Sequence, residues 1–174
     1  MLRERLKTIC DRVSPEKNIA LVDALTSEIP HTIIPVQSVH DLFTFTCLVH
    51  ALGFTGQDQY RVVAGLGVDK VFAGEAFAYW LLRSGSLTEL TPPADAVIGS
   101  MVMYFDDDAK FTHVGLSKHN SRVESKWGQL GLYEHGLFEV PANYGDTVRY
   151  YKPLPYSVAI KLFYDFAAKN GNSI

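Results

Sequence analysis

Ser100-Met-Val-Met-Tyr-Phe105, Thr112-His113-Val-Gly-Leu116 and Arg122-Val-Glu-Ser-Lys-Trp127 are three short runs rich in β-branched and aromatic residues. Polar turns separate them: Asp106-Asp107-Asp108-Ala109-Lys110, then His119-Asn120-Ser121. Runs of this length joined by turns this short pair antiparallel, so the spacing predicts a meander. A further strand is expected over residues 147–151. Upstream the period changes. Leu2, Leu6, Ile9 and Val13 fall at helical spacing, which predicts an amphipathic helix over 2–13. Ser14-Pro15 supplies an N-cap and a first-turn proline for a second helix reaching about Ser27. Residues 31–36 read as extended. Cys47-Leu-Val-His-Ala-Leu52 suits a short buried helix closed by Gly53. Helices are expected near 57–64 and over 74–84, the latter with Gly85 at its C-terminal cap. Pro92-Pro93 marks a loop. Residues 155–169 form a closing helix with Val158, Leu162 and Phe166 on one face. Helices first and antiparallel strands afterwards define an α+β fold. The reading is one domain over 1–174, with a helical extension over 1–37 and a core over 38–174.

Composition narrows the function classes. The 174 residues are 47% hydrophobic and 20% charged, enough to bury a core without metals or disulfides. A formal charge of −3, with both signs interspersed, offers no basic stripe for phosphates and no basic amphipathic face for a lipid surface. Neither nucleic acid nor a membrane is therefore expected as a partner. Two cysteines, Cys10 and Cys47, are too few for a disulfide scaffold and suit a reducing compartment or a free functional thiol. The first residues lack an apolar run of signal length, so the expected location is cytoplasmic, with leaderless export left open. The six histidines show no ligand spacing, so no metal and no cofactor is expected.

Cys47 stands where an extended stretch hands over to a helix. A helix start favours the thiolate, and a neutral thiol needs a nearby base, most often histidine. His113 suits that role, early on the second strand with Val114 pointing the other way. Ser125, twelve residues on, falls in the next strand on the same face and is the expected orienting group. Glu124 has the opposite parity. His135, expected in a loop after that strand, is the rival third member. His50, one turn after Cys47, and Lys126 with Trp127 are read as substrate-binding positions. Cys10 sits beside an apolar helix stripe and reads as structural.

Phe45-Thr-Cys47-Leu-Val-His-Ala-Leu52 resembles the cysteine-helix signature of papain-like NlpC-type peptidases. Ile98-Gly-Ser-Met-Val-Met-Tyr-Phe105 followed by Thr112-His113-Val-Gly-Leu116 resembles the hairpin of the same family. Arg122-Val-Glu-Ser-Lys-Trp-Gly128, Leu132-Tyr-Glu-His135 and Glu139-Val-Pro-Ala-Asn-Tyr-Gly145 look like a group of bacterial proteins with Ser-Lys-Trp-Gly and Tyr-Gly motifs. The similarity covers about residues 40–152. It implies a papain-like fold with Cys47 and His113 as a catalytic dyad. The position that is commonly His, Asn or Gln in NlpC-type enzymes is Ser125 here. The activity implied is a bacterial Cys–His hydrolase that cleaves an amide, in a cell-wall peptide or a protein, through an acyl-enzyme. A non-catalytic or degenerate binding module on the same fold is one alternative. An acyltransferase or deamidase is another.

Overall fold

The computed structural model describes residues 1–11, 13–65, 71–91 and 96–170. The loop expected at Pro92-Pro93 lies outside them. Two N-terminal helices, α1 (Leu2–Ile9) and α2 (Pro15–Leu25), lead to a short β1 (Ile34–Pro35). Three helices follow: α3 (Cys47–Ala51), α4 (Asp58–Gly65) and α5 (Glu75–Arg83). Then come β2 (Glu89–Leu90), β3 (Met101–Phe105), β4 (Phe111–Ser117), β5 (Arg122–Lys126), β6 (Leu132–Gly136) and β7 (Thr147–Tyr151). Helix α6 (Tyr156–Lys169) is the last element.

Local chemistry accounts for the helix ends. Helix α1 stops at Ile9, short of the expected Val13. The proline at 15 disfavours helical backbone at Ser14. The freed Ser14 hydroxyl then accepts the Lys17 N–H at 3.3 Å and caps α2. Helix α3 closes at Gly53, whose φ of 69° is cheap only for glycine.

The strands form one antiparallel sheet of order β1-β6-β5-β4-β3-β7-β2. The expected meander is its centre, β3 through β5, and it runs on into β6. Strand β7 returns to the free edge of β3, with Met103 opposite Arg149. Strand β6 corrects the loop expected around His135. The run has only four residues between Gly131 and Gly136 and carries a Glu and a His, so it lacks a strand-like composition. Pairing with β5, Ser125 opposite Tyr133 and Val123 opposite His135, supplies what composition does not.

Helices cover both faces of the sheet. On one face, α3 to α6 bury Leu48, Leu52, Val63, Phe77, Leu81 and Phe163 against Met101, Met103, Phe105 and Val114. On the other, Leu6 of α1 and Val22 and Leu25 of α2 pack on Val102, Tyr104, Val123, Trp127 and Tyr133. All five residues of β3 are therefore buried, although antiparallel strands commonly leave one face wet. Each fully buried Leu or Phe contributes roughly 1.5–3 kcal/mol. The architecture is α+β, with the sheet between two helical layers. No helix among the described residues is long and apolar enough to cross a membrane.

Candidate functional site

Strand alternation sorts the candidate residues between the two faces. Val114 packs in the cluster under α3, the cluster against which Cys47 rests. Tyr104 lies opposite His113 in the β3–β4 register, so His113 points to the face under α1 and α2. Ser125, Trp127 and His135 share that second face. Glu124 and Lys126 share the first face with Cys47 and His50.

Cys47 is the first residue of α3, after Thr46 in extended backbone. The residue is half-buried. Burial of its thiol pushes the pKa up, and this outweighs the backbone N–H groups of Val114, Leu48 and Cys47 itself and the charge of Lys126, all of which favour the thiolate. The thiol therefore rests neutral at pH 7. It lies against Val114, one residue along β4 from His113.

His113 is almost fully buried, and its ring stacks on Tyr144 with centroids 4.0 Å apart. Its Nε2 is buried without a hydrogen-bond partner among the described residues, and the structure does not bring it together with Cys47, which lies on the other face of the sheet. Desolvation, with the neighbouring His135 adding to it, holds the imidazole well below its usual value and therefore neutral. Ser125 has the expected parity, but its hydroxyl is engaged elsewhere. It accepts the Trp127 indole N–H at 3.2 Å and meets His135 Nε2 at 2.7 Å. The Nδ1 of His135 lies 2.8 Å from the Gly136 carbonyl. A carbonyl only accepts, so Nδ1 carries the proton and the Ser125 hydroxyl donates to Nε2. Burial lowers the His135 pKa to about 4, which matches this neutral tautomer. Ser125 thus anchors His135, while His113 is held by the Tyr144 ring.

The first face carries polar groups that the sequence reading did not connect. His50 Nε2 lies 3.0 Å from Glu124 Oε1, and Lys118 Nζ donates to Glu124 Oε2 at 2.9 Å. The His50 hydrogen bond, followed by Lys118 and against the opposing effect of burial, lowers the Glu124 pKa to about 2. Parity turns Glu124 away from the face of His113. That same parity aims it at α3, and extending the alternation to Cys47 and His50 would have found the pair. A groove of about 370 Å³ opens beside this pair, lined by Phe45, His50, Glu124, His40 and Thr55 among others. His50 therefore faces a cavity. Lys126 and Trp127 do not: both are 0% exposed. Trp127 packs on Tyr133 in the core beneath α1 and α2, with centroids 4.4 Å apart. Cys10 accepts an Asn18 side-chain N–H at 3.5 Å, and burial raises its pKa to about 11.

Among the described residues, no group of three or more His, Cys, Asp or Glu is placed to hold a metal ion. Residues 74–152 match the model of a domain of unknown function, DUF7689. The matched stretch runs from α5 to the end of β7, so it includes His113, Ser125, Lys126 and His135 but not Cys47 or His50. Neither the curated proteins nor the solved structures contain a match to the chain.

Proposed function

We propose that the chain is a papain-like, NlpC-type cysteine hydrolase that cleaves an amide bond in a cell-wall peptide or a protein. Cys47 is the nucleophile and His113 its base. What supports the reading is that the Cys47 thiol, at the first turn of α3, lies against Val114 of β4, the neighbour of His113, whose buried Nε2 has no hydrogen-bond partner among the described residues. The ring points to the other face of the sheet, so the reading requires β4 to turn at its bulge and present the imidazole to the thiol. Buried polar groups without partners are rare, and a catalytic role is one of the few reasons to keep one. In the step proposed, once the imidazole is turned toward α3, the thiol proton passes to His113 Nε2. The sulfur adds to the carbonyl carbon, and the C=O π pair moves to oxygen. Collapse expels the amine, which takes the proton back from His113, and water then hydrolyses the thioester. The Cys47 N–H, at the start of α3, is the natural donor to the oxyanion. The groove lined by Phe45, His50 and Glu124, residues that flank Cys47 in sequence and on its face of the sheet, is the proposed place for the substrate.

The test is acylation by p-nitrophenyl acetate in a Cys10→Ser background, followed by intact mass and peptide mapping. The expected result is an acetyl group on Cys47, absent in Cys47→Ala and formed about a hundredfold more slowly in His113→Asn. A second reading, a binding module, draws on the neutral resting state of both groups and on the engagement of Ser125 with His135. It replaces the first if Cys47 in the folded chain is acylated no faster than in the urea-unfolded chain.

A further inference from the structure

Lys126 is a cation that is 0% exposed. Its Nζ donates to the Gly128 carbonyl at 2.9 Å and lies 5.1 Å from the centre of the Phe45 ring. Among the described residues it forms no ion pair with a carboxylate. One neutral acceptor and one aromatic face are poor compensation for burying an ammonium, which ordinarily demands an anion. Substitution by an apolar side chain of similar length would remove that cost. The charge is therefore retained at the expense of stability, and its surroundings say what it serves. Lys126 leaves β5 on the face that carries Cys47. The ring it covers belongs to Phe45, two residues before the thiol. Cys47 and the exposed Asp41 are the acidic groups acting on it, and of these the half-buried thiol is the one packed against the core on the face of Lys126.

We propose, building on the nucleophile reading above, that Lys126 is the fixed counter-charge of the Cys47 thiolate, a positioning residue that makes the anion accessible as the proton leaves. The ammonium keeps its proton throughout. When His113 takes the thiol proton, the negative charge on sulfur forms beside a cation already desolvated and in place, so no water has to reorganise around it. The other charged or titratable groups near the thiol are committed elsewhere. His50 from α3 and Glu124 from β5 are bound to each other, Asp41 caps the Phe43 N–H at 2.9 Å, and Tyr144 stacks on His113 from the opposite face. The burial that lowers Lys126 to about 8 leaves it mostly charged at neutral pH.

The experiment titrates the thiol directly, which needs no substrate and no turnover. In the Cys10→Ser background, the rate of Cys47 alkylation by iodoacetamide is followed against pH for the parent, Lys126→Met and Lys126→Arg. Lys126→Met should move the midpoint upward, cutting alkylation near neutral pH by about tenfold or more. Lys126→Arg should restore most of it. Thermal melting of Lys126→Met should be unchanged or higher, because a buried charge has gone. An unchanged midpoint in a folded Lys126→Met protein overturns the proposal, and so does a lower melting temperature with unchanged alkylation, the mark of a purely structural lysine. If Lys126→Met does not fold, the reciprocal measurement decides: by linkage, Cys47→Ala must shift the Lys126 titration seen by NMR, and no shift refutes the coupling. Failure of the hydrolase reading is read separately, in the missing acetyl adduct on Cys47.

Discussion

Acid should unfold this protein through its buried imidazoles, and His135 allows the size of the effect to be worked out. Its side chain is fully buried, and its pKa falls from an ordinary 6.5 to about 4. The folded state therefore prefers the neutral ring, whereas the unfolded chain takes a proton near 6.5. Stability from this group is complete above that value and is lost as pH falls through the interval toward 4. At about pH 5 the unfolded ring is almost wholly protonated and the folded ring about one-tenth so. The difference costs ~2 kcal/mol, a large part of a typical 5–15 kcal/mol. His113, also buried and depressed, adds a loss of the same sign. The assay is urea unfolding at a series of pH values between about 7.5 and about 5, comparing the parent with His135→Gln. The variant loses some stability at every pH, but what matters is the slope: its pH dependence should be shallower by ~2 kcal/mol over the interval. Parallel curves for parent and variant would refute the reasoning, because they would mean that His135 titrates alike in both states.

Two further substitutions probe how the site is packed. A Cβ on Gly115 would fall 2.5 Å from Val123 Cγ1 and 2.9 Å from the Glu124 carbonyl, so Gly115→Ala should push β4 from β5 and cost about 1–3 kcal/mol in urea unfolding; a loss under about 0.3 kcal/mol would contradict the closeness of the two strands. Tyr133→Phe removes the hydroxyl that donates to Asn18 Oδ1 at 2.7 Å and strands a buried acceptor, so it should lower stability by about 1–3 kcal/mol, and Asn18→Leu in the same chain should recover part of that loss.

Much of this fold is legible from short-range pattern. The period-two runs at 100–105, 112–116 and 122–127 became β3, β4 and β5, and Ser14-Pro15 became a capped helix start, because pleat parity and capping depend on neighbours a few residues away. Parity also put Ser125 on the face of His113 and Glu124 on the other. Partner choice was not legible. Ser125 lies on the expected face, yet its hydroxyl goes to His135, because β6 joins the sheet there and brings an imidazole to 2.7 Å. Nothing within the Leu132–Gly136 run announces a strand; the unpaired edge of β5 makes it one. Lys126 and Trp127, adjacent in sequence, suggest a polar surface beside a hydrophobic wall. The tertiary structure buries both, on opposite faces, under helices seventy-five or more residues earlier in the chain. Alternation and capping are local properties of the polypeptide, written in the order of its residues. Burial, hydrogen-bond partners and the charge beside a thiol depend on which distant segments share a face, and only the packed sheet with its two helical layers decides that.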